Sequence, residues 1–103
     1  MGRGPDLQSC WTTGKRIRLP HLEVAWLPRP HQRRSRSGII VPLHQRTAVQ
    51  RNQLRRRIRE ILRRETLARL PVVDLVVRAR REAYAASFDV LRAELAQAAA
   101  KIQ

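Results

Sequence analysis

One stretch constrains the fold more than any other: Thr47 to Arg64, which reads T-A-V-Q-R-N-Q-L-R-R-R-I-R-E-I-L-R-R. Thr47 followed three residues later by Gln50 spells a capping box, in which each side chain satisfies a backbone N–H orphaned by the first turn, so a helix is expected from Ala48. At about 100° per residue, Leu54, Ile58, Ile61 and Leu62 share one stripe, and Asn52, Arg56, Arg59 and Arg63 fall opposite it. Arg51 and Arg55 flank one border of the stripe, Arg57 and Arg64 the other. A helix of this kind is stable only when its narrow apolar stripe packs on a core, which leaves a row of guanidinium groups fixed outward on a rigid rod. Glu60 stands at helical spacing from several of these arginines and reads as a surface partner for Arg56, Arg57, Arg63 or Arg64.

The flanking segments supply the core. Leu22, Val24 and Trp26 alternate with Glu23 and Ala25, a half-buried strand stopped by Pro28-Arg29-Pro30. His31 to Ser37 reads as a basic loop, and Gly38-Ile39-Ile40-Val41 as a short buried strand ended by Pro42. After Leu70-Pro71, the nearly unbroken apolar run Val72–Val77 predicts a strand covered on both faces. Strand, long helix and strand in that order imply a crossover between parallel strands, right-handed by default. Ser87 is placed to cap a last helix with Phe88, Leu91, Leu95, Ala98 and Ile102 on one face. Leu7 and Trp11, four apart, share a face of a short first helix. The expectation is one α+β domain over residues 1–103, a small mixed sheet packed by helices, with residues 1–5 flexible.

Lysine and arginine outnumber aspartate and glutamate by 22 to 8, for a formal net charge of +14. All but Lys15 and Lys101 of those cations are arginine, the residue that forks onto phosphate and stacks on bases. A polyanionic partner, nucleic acid, follows from that excess on so small a domain. The lone Cys10 forms no internal disulfide, and no Cys or His pair has metal-ligand spacing. No apolar run approaches the roughly 18 residues of a membrane span, so a cytoplasmic protein with no membrane partner is expected. The carboxylates are scattered, and His21, His31 and His44 are isolated, each read as an RNA or solvent contact; no catalytic residue and no organic cofactor are expected.

The helix run Ala48-Val49-Gln50-Arg51-Asn52-Gln53-Leu54-Arg55-Arg56-Arg57-Ile58-Arg59 resembles the A-V-x-R-N-R-x-[KR]-R-x-x-R signature of the protein subunit of bacterial ribonuclease P. The likeness continues in register through Gly14, Leu22-Glu23-Val24, Ser37-Gly38-Ile39-Ile40-Val41, Val73-Asp74-Leu75-Val76-Val77-Arg78-Ala79-Arg80 and Ser87-Phe88, across residues 6–95. The resemblance implies a left-handed crossover in place of the default hand. It also implies a non-catalytic subunit of an endoribonuclease whose RNA subunit, helped by Mg²⁺ held mainly by RNA and substrate, removes the 5′ leader from precursor tRNA. By the same resemblance Arg51, Asn52, Arg55, Arg56 and Arg59, with Arg63 on their face, bind RNA. Leu7, Trp11 and Ala25 would line a cleft for the leader. No protein partner is required.

The chain departs from the pattern at Gln53, where an arginine is usual, at Pro42-Leu43-His44, where S-K-K is frequent, and at Leu7, where an aromatic is usual. The competing reading is a ribosomal-type or general RNA-binding protein using the same helix on another RNA. A DNA-binding helix motif is disfavoured, because no helix-turn-helix spacing precedes the long helix.

Overall fold

The computed structural model describes residues 5–102, with side chains from Ser9 onward. The expectation of a flexible start at residues 1–4 and the side chain of Leu7 lie outside the described residues, whereas Pro5 already opens the first helix, α1 (Pro5–Thr13). Thr13 Oγ1 donates to Ser9 O at 2.7 Å and the Gly14 N–H to Cys10 O at 2.9 Å, closing that helix's last turn. A Cβ on Gly14 would stand 2.5 Å from Cys10 O and 2.6 Å from Trp26 O. Only glycine therefore lets the end of α1 run this close to the sheet.

Four strands follow: β1 (Lys15–Arg18), β2 (Leu22–Pro28), β3 (Arg36–Ile40) and β4 (Val73–Ala79). Their order in the sheet is β1-β2-β4-β3, with β2 antiparallel to both β1 and β4, and β3 parallel to β4. The parallel pair is joined by the long helix α2 (Ala48–Ile61), the crossover expected from the order of elements. Thr47 Oγ1 accepts from the Gln50 N–H at 3.1 Å and Gln50 Oε1 from the Thr47 N–H at 3.0 Å, so the capping box forms as read. The chain then leaves α-helical geometry earlier than the periodicity suggested. Residues Leu62–Thr66 form a turn of π-helix, with the Leu67 N–H donating to Leu62 O, followed by a short 3₁₀ turn to Arg69.

Period-two alternation divides β4 between two faces. Val73, Leu75, Val77 and Ala79 join Leu22 and Val24 in the main core, where Leu54, Ile58, Ile61 and Leu62 all lie buried. Each of those four helix side chains contributes about 2 kcal/mol by leaving water. The last helix, α3 (Phe88–Ile102), buries Leu91, Leu95, Ala98 and Ile102 there, and Ser87 Oγ accepts from the Val90 N–H at 3.2 Å. Phe88 does not join that face as expected: it is 39% exposed in the first turn, and Glu94 and Ala99 are buried further along. The opposite sheet face holds a second cluster of Cys10, Ala25 and Val76, with Trp11, Leu27 and Ile40 packed around it, under α1. Both faces of β4 are thus covered, as its apolar run required.

Candidate nucleic-acid interface

Capping and burial fix the rotation of α2, and with it the direction of every polar side chain. Asn52, Arg56, Arg57, Arg59, Arg63 and Arg64 are exposed, while Arg51 and Arg55 are half-buried at the border of the stripe. The Nε atoms of Arg51 and Arg55 are sealed without a hydrogen-bond partner, one helical turn apart. Glu60 binds Arg63 Nη2 at 3.2 Å and Arg64 Nε, the surface pairing expected from the spacing. No such anion neutralises Arg51, Arg55, Arg56, Arg57 or Arg59 among the described residues. The helix therefore presents five uncompensated guanidinium groups within about 12 Å of axis, at 1.5 Å per residue.

The connection into α2 adds cations that lie outside the helix signature. His44 and Gln45 both take left-handed backbone conformations, at φ 49° and 66°, to turn the chain from β3 into the helix. Arg46 lies over the Tyr84 ring at 5.2 Å, His44 meets that ring edge-on at 6.4 Å, and the Tyr84 hydroxyl donates to Pro42 O at 2.8 Å. The loop that lacks S-K-K thus keeps a fixed positive charge through Arg46.

On the far face of the sheet, α1 and the strands form a second surface. Trp11 is half-exposed, with the Arg16 guanidinium 4.1 Å from its ring centre and that of Arg78 at 5.9 Å. Arg16 Nη2 also donates to Trp11 O at 2.7 Å, so this arginine is tied to both ring and backbone. Arg78 sits directly across from Glu23 on the same face. Ala25, read as facing a ligand, is 0% exposed beneath Cys10 and Val76. That reading is corrected: Ala25 is part of the packed floor, because α1 closes over it, and Trp11 and its two arginines form the accessible surface. Burial pushes the Cys10 thiol up to about 11, with the nearby Asp74 charge adding to it, so Cys10 is a packed S–H group.

Two further polar centres were missed. Asp74, fully buried, accepts from Arg29 Nε at 3.0 Å, Gln32 Nε2 at 3.2 Å, and Arg36 Nε and Nη2 at 3.0 and 2.9 Å. Burial pushes its carboxyl up, but the hydrogen bonds from Arg36, Gln32 and Arg29 outweigh that and hold it below the usual range. His21, read as an RNA or solvent contact, is engaged inside: its N–H donates to Glu94 Oε1 at 3.0 Å and its Nδ1 meets Glu94 Oε2. The signal for Asp74 was a lone carboxylate within an apolar run, which demands a partner that local spacing does not name, whereas Glu94, between Arg92 and Gln97 on a helix of mixed polarity, gave no such signal. Among the described residues, no three His, Cys, Asp or Glu side chains gather to hold a metal ion, and no helix is long and apolar enough to cross a membrane.

Fold and surface together define a small α+β domain that fixes a polycationic helix on one side of a mixed sheet and an aromatic-arginine surface on the other. The chain belongs to the ribonuclease P protein family, whose model, Ribonuclease P, matches residues 3–103. A ribonuclease P protein component from Thermus brockianus is 42% identical over 88 residues, covering 85% of this chain and 51% of that protein. The chain thus spans about half the length of that relative. The RNase P protein of Thermotoga maritima superposes with a TM-score of 0.81 at 27% identity, over 96% of this chain and 93% of that one. The Staphylococcus aureus RNase P protein shares the fold, with a TM-score of 0.84 at 23% identity over 99% and 94% of the two chains.

Proposed function

We propose that this chain is the protein subunit of a ribonuclease P, which assists a catalytic RNA in removing the 5′ leader from precursor tRNA. The observation that carries the proposal is the outer face of α2. Arg51, Asn52, Arg55, Arg56 and Arg59 occupy the family's signature positions on a capped, rigid helix, and these arginines have no anionic partner among the described residues. Their work is to neutralise closely spaced phosphates of the RNA subunit, with Arg63 at the end of the row. Asn52 donates and accepts, which suits a ribose or a neighbouring guanidinium. In this reading Mg²⁺ rests on RNA and substrate phosphates, and the arginines lower the repulsion that otherwise demands additional divalent ions. The surface of Trp11, Arg16 and Arg78 takes the single-stranded leader, one base stacking on the indole for about 1–3 kcal/mol.

The test compares precursor and mature tRNA binding by the enzyme reconstituted from this protein and a bacterial ribonuclease P RNA. The wild-type protein should favour precursor, and Trp11→Ala should shrink that preference. Equal weakening for both tRNAs would assign Trp11 to packing alone.

A further inference from the structure

The loop from Arg29 to Arg36 carries four arginines and a histidine in eight residues, and its own repulsion should spread it into solvent. Instead it is pinned. The Arg29 N–H donates to Val72 O at 3.0 Å and the Gln32 N–H to Arg29 O at 3.1 Å. Ser35 Oγ donates to Pro71 O at 3.2 Å and accepts from the Val73 N–H at 3.0 Å. Arg29, Gln32 and Arg36 turn inward onto the single buried carboxylate of Asp74. That leaves His31, Arg33 and Arg34 exposed, and neither Arg33 nor Arg34 pairs with an anion among the described residues. An open hollow of about 250 Å³ lies in the same loop, lined by Pro28, Arg29, Pro30, His31, Gln32 and Arg36.

The position of this loop selects its partner. The Asp74 side chain alternates with Leu75 and so lies on the face of Val76, Ala25 and Trp11, opposite the face on which α2 packs. Asp74 and Arg78 are four residues apart on one strand, about 13 Å at 3.3 Å per residue. The loop is therefore anchored on the same face of the sheet as Trp11 and Arg78 and away from α2, with α1 packed over Val76 between the two.

We propose that the loop 29–36 is a second, sequence-independent site for single-stranded RNA, in which Asp74 orders the loop and Arg33 and Arg34 contact the backbone of the leader beyond the nucleotides held at Trp11. This rests on the leader reading above and adds a length requirement to it. The contact is electrostatic, so it depends on salt and on leader length and not on base identity.

The reconstituted enzyme is titrated with precursor tRNAs whose leaders run from about two to about ten nucleotides, a range spanning common single-strand site sizes. Wild-type affinity rises with length. The Arg33→Ala/Arg34→Ala variant keeps the affinity for short leaders and loses the later increments. Its log–log salt slope on the longest leader falls by about 1.4, from two phosphates at about 0.7 each. Lysine at both positions restores the slope. Equal weakening on every leader and on mature tRNA would overturn the proposal by placing the loop on the RNA subunit or the tRNA body. Unchanged length dependence in the double alanine variant would overturn it alone, while leaving the leader reading intact. No length dependence in the wild-type enzyme would remove both.

Discussion

Replacing Asp74 by asparagine keeps the shape of the side chain and removes the charge that three partners share. Asp74 is fully buried, whereas the Arg29 and Arg36 side chains remain 32% and 39% exposed. Removing one member of a buried ion pair costs about 3–5 kcal/mol. The lower end applies here, because both guanidinium heads can rehydrate, so a destabilisation of about 3 kcal/mol is expected at neutral pH. That is a large share of the roughly 5–15 kcal/mol by which such domains are stable. The acid dependence follows from the lowered carboxyl of Asp74. A group whose folded-state pKa is depressed contributes stability above its unfolded value, near 3.9, and loses it as the pH falls through the folded value. Urea unfolding followed by tryptophan fluorescence should therefore show a constant gap between wild type and Asp74→Asn from pH 7 to about pH 5, closing below about pH 4. No gap at pH 7, or a gap that persists unchanged to pH 3, would refute the assignment of Asp74 as the charged anchor of the loop.

Arg56→Ala with Arg59→Ala should weaken RNA binding and lower the log–log salt slope by roughly one unit for each phosphate no longer neutralised, with the thermal midpoint unchanged; an unaltered slope would mean this helix face is not an RNA surface. Ile58→Asp places an unpaired charge in the main core at a 0% exposed position and should leave the domain unfolded by circular dichroism. Gly14→Ala drives a methyl group into two backbone carbonyls and should cost about 1–3 kcal/mol, read by urea unfolding. Because the clash displaces the end of α1, the same variant should shift tryptophan emission from Trp11, and a wild-type spectrum and midpoint would contradict the close packing described.

The elements read correctly from sequence are those whose signals are local. The Thr47–Gln50 pair sets the start of α2, the spacing of Leu54, Ile58 and Ile61 sets its rotation, and the apolar run of β4 announces burial on both faces. β1 was missed because Lys-Arg-Ile-Arg holds one apolar side chain. It exists through pairing with β2 and through Lys15 lying over Trp26 at 5.1 Å, both long-range facts. Phe88 fits the helical period yet stays exposed, because the first turn of α3 projects past the core. The same logic separates the two halves of the site. The arginines of α2 were legible because one helix carries them all. The Trp11 surface was only half legible, because Ala25 looked outward until α1 closed over it, and Arg16 acquires meaning only beside Trp11. Asp74 declared a need for partners and Glu94 did not, and the partners of both lie 38 to 73 residues away.

The proposed role, supply of fixed positive charge to a catalytic RNA, requires that the protein change how that RNA uses divalent ions. The most direct measurement is the Mg²⁺ dependence of precursor tRNA cleavage with and without this protein. Added to a bacterial ribonuclease P RNA, the wild-type chain should lower the Mg²⁺ needed for cleavage at the mature 5′ end. High monovalent salt should erode that benefit, and the protein alone should leave the substrate uncut at every Mg²⁺ concentration. Metal-dependent cleavage by protein stringently freed of RNA would contradict the accessory role, as would an unchanged Mg²⁺ requirement despite tight binding of the RNA.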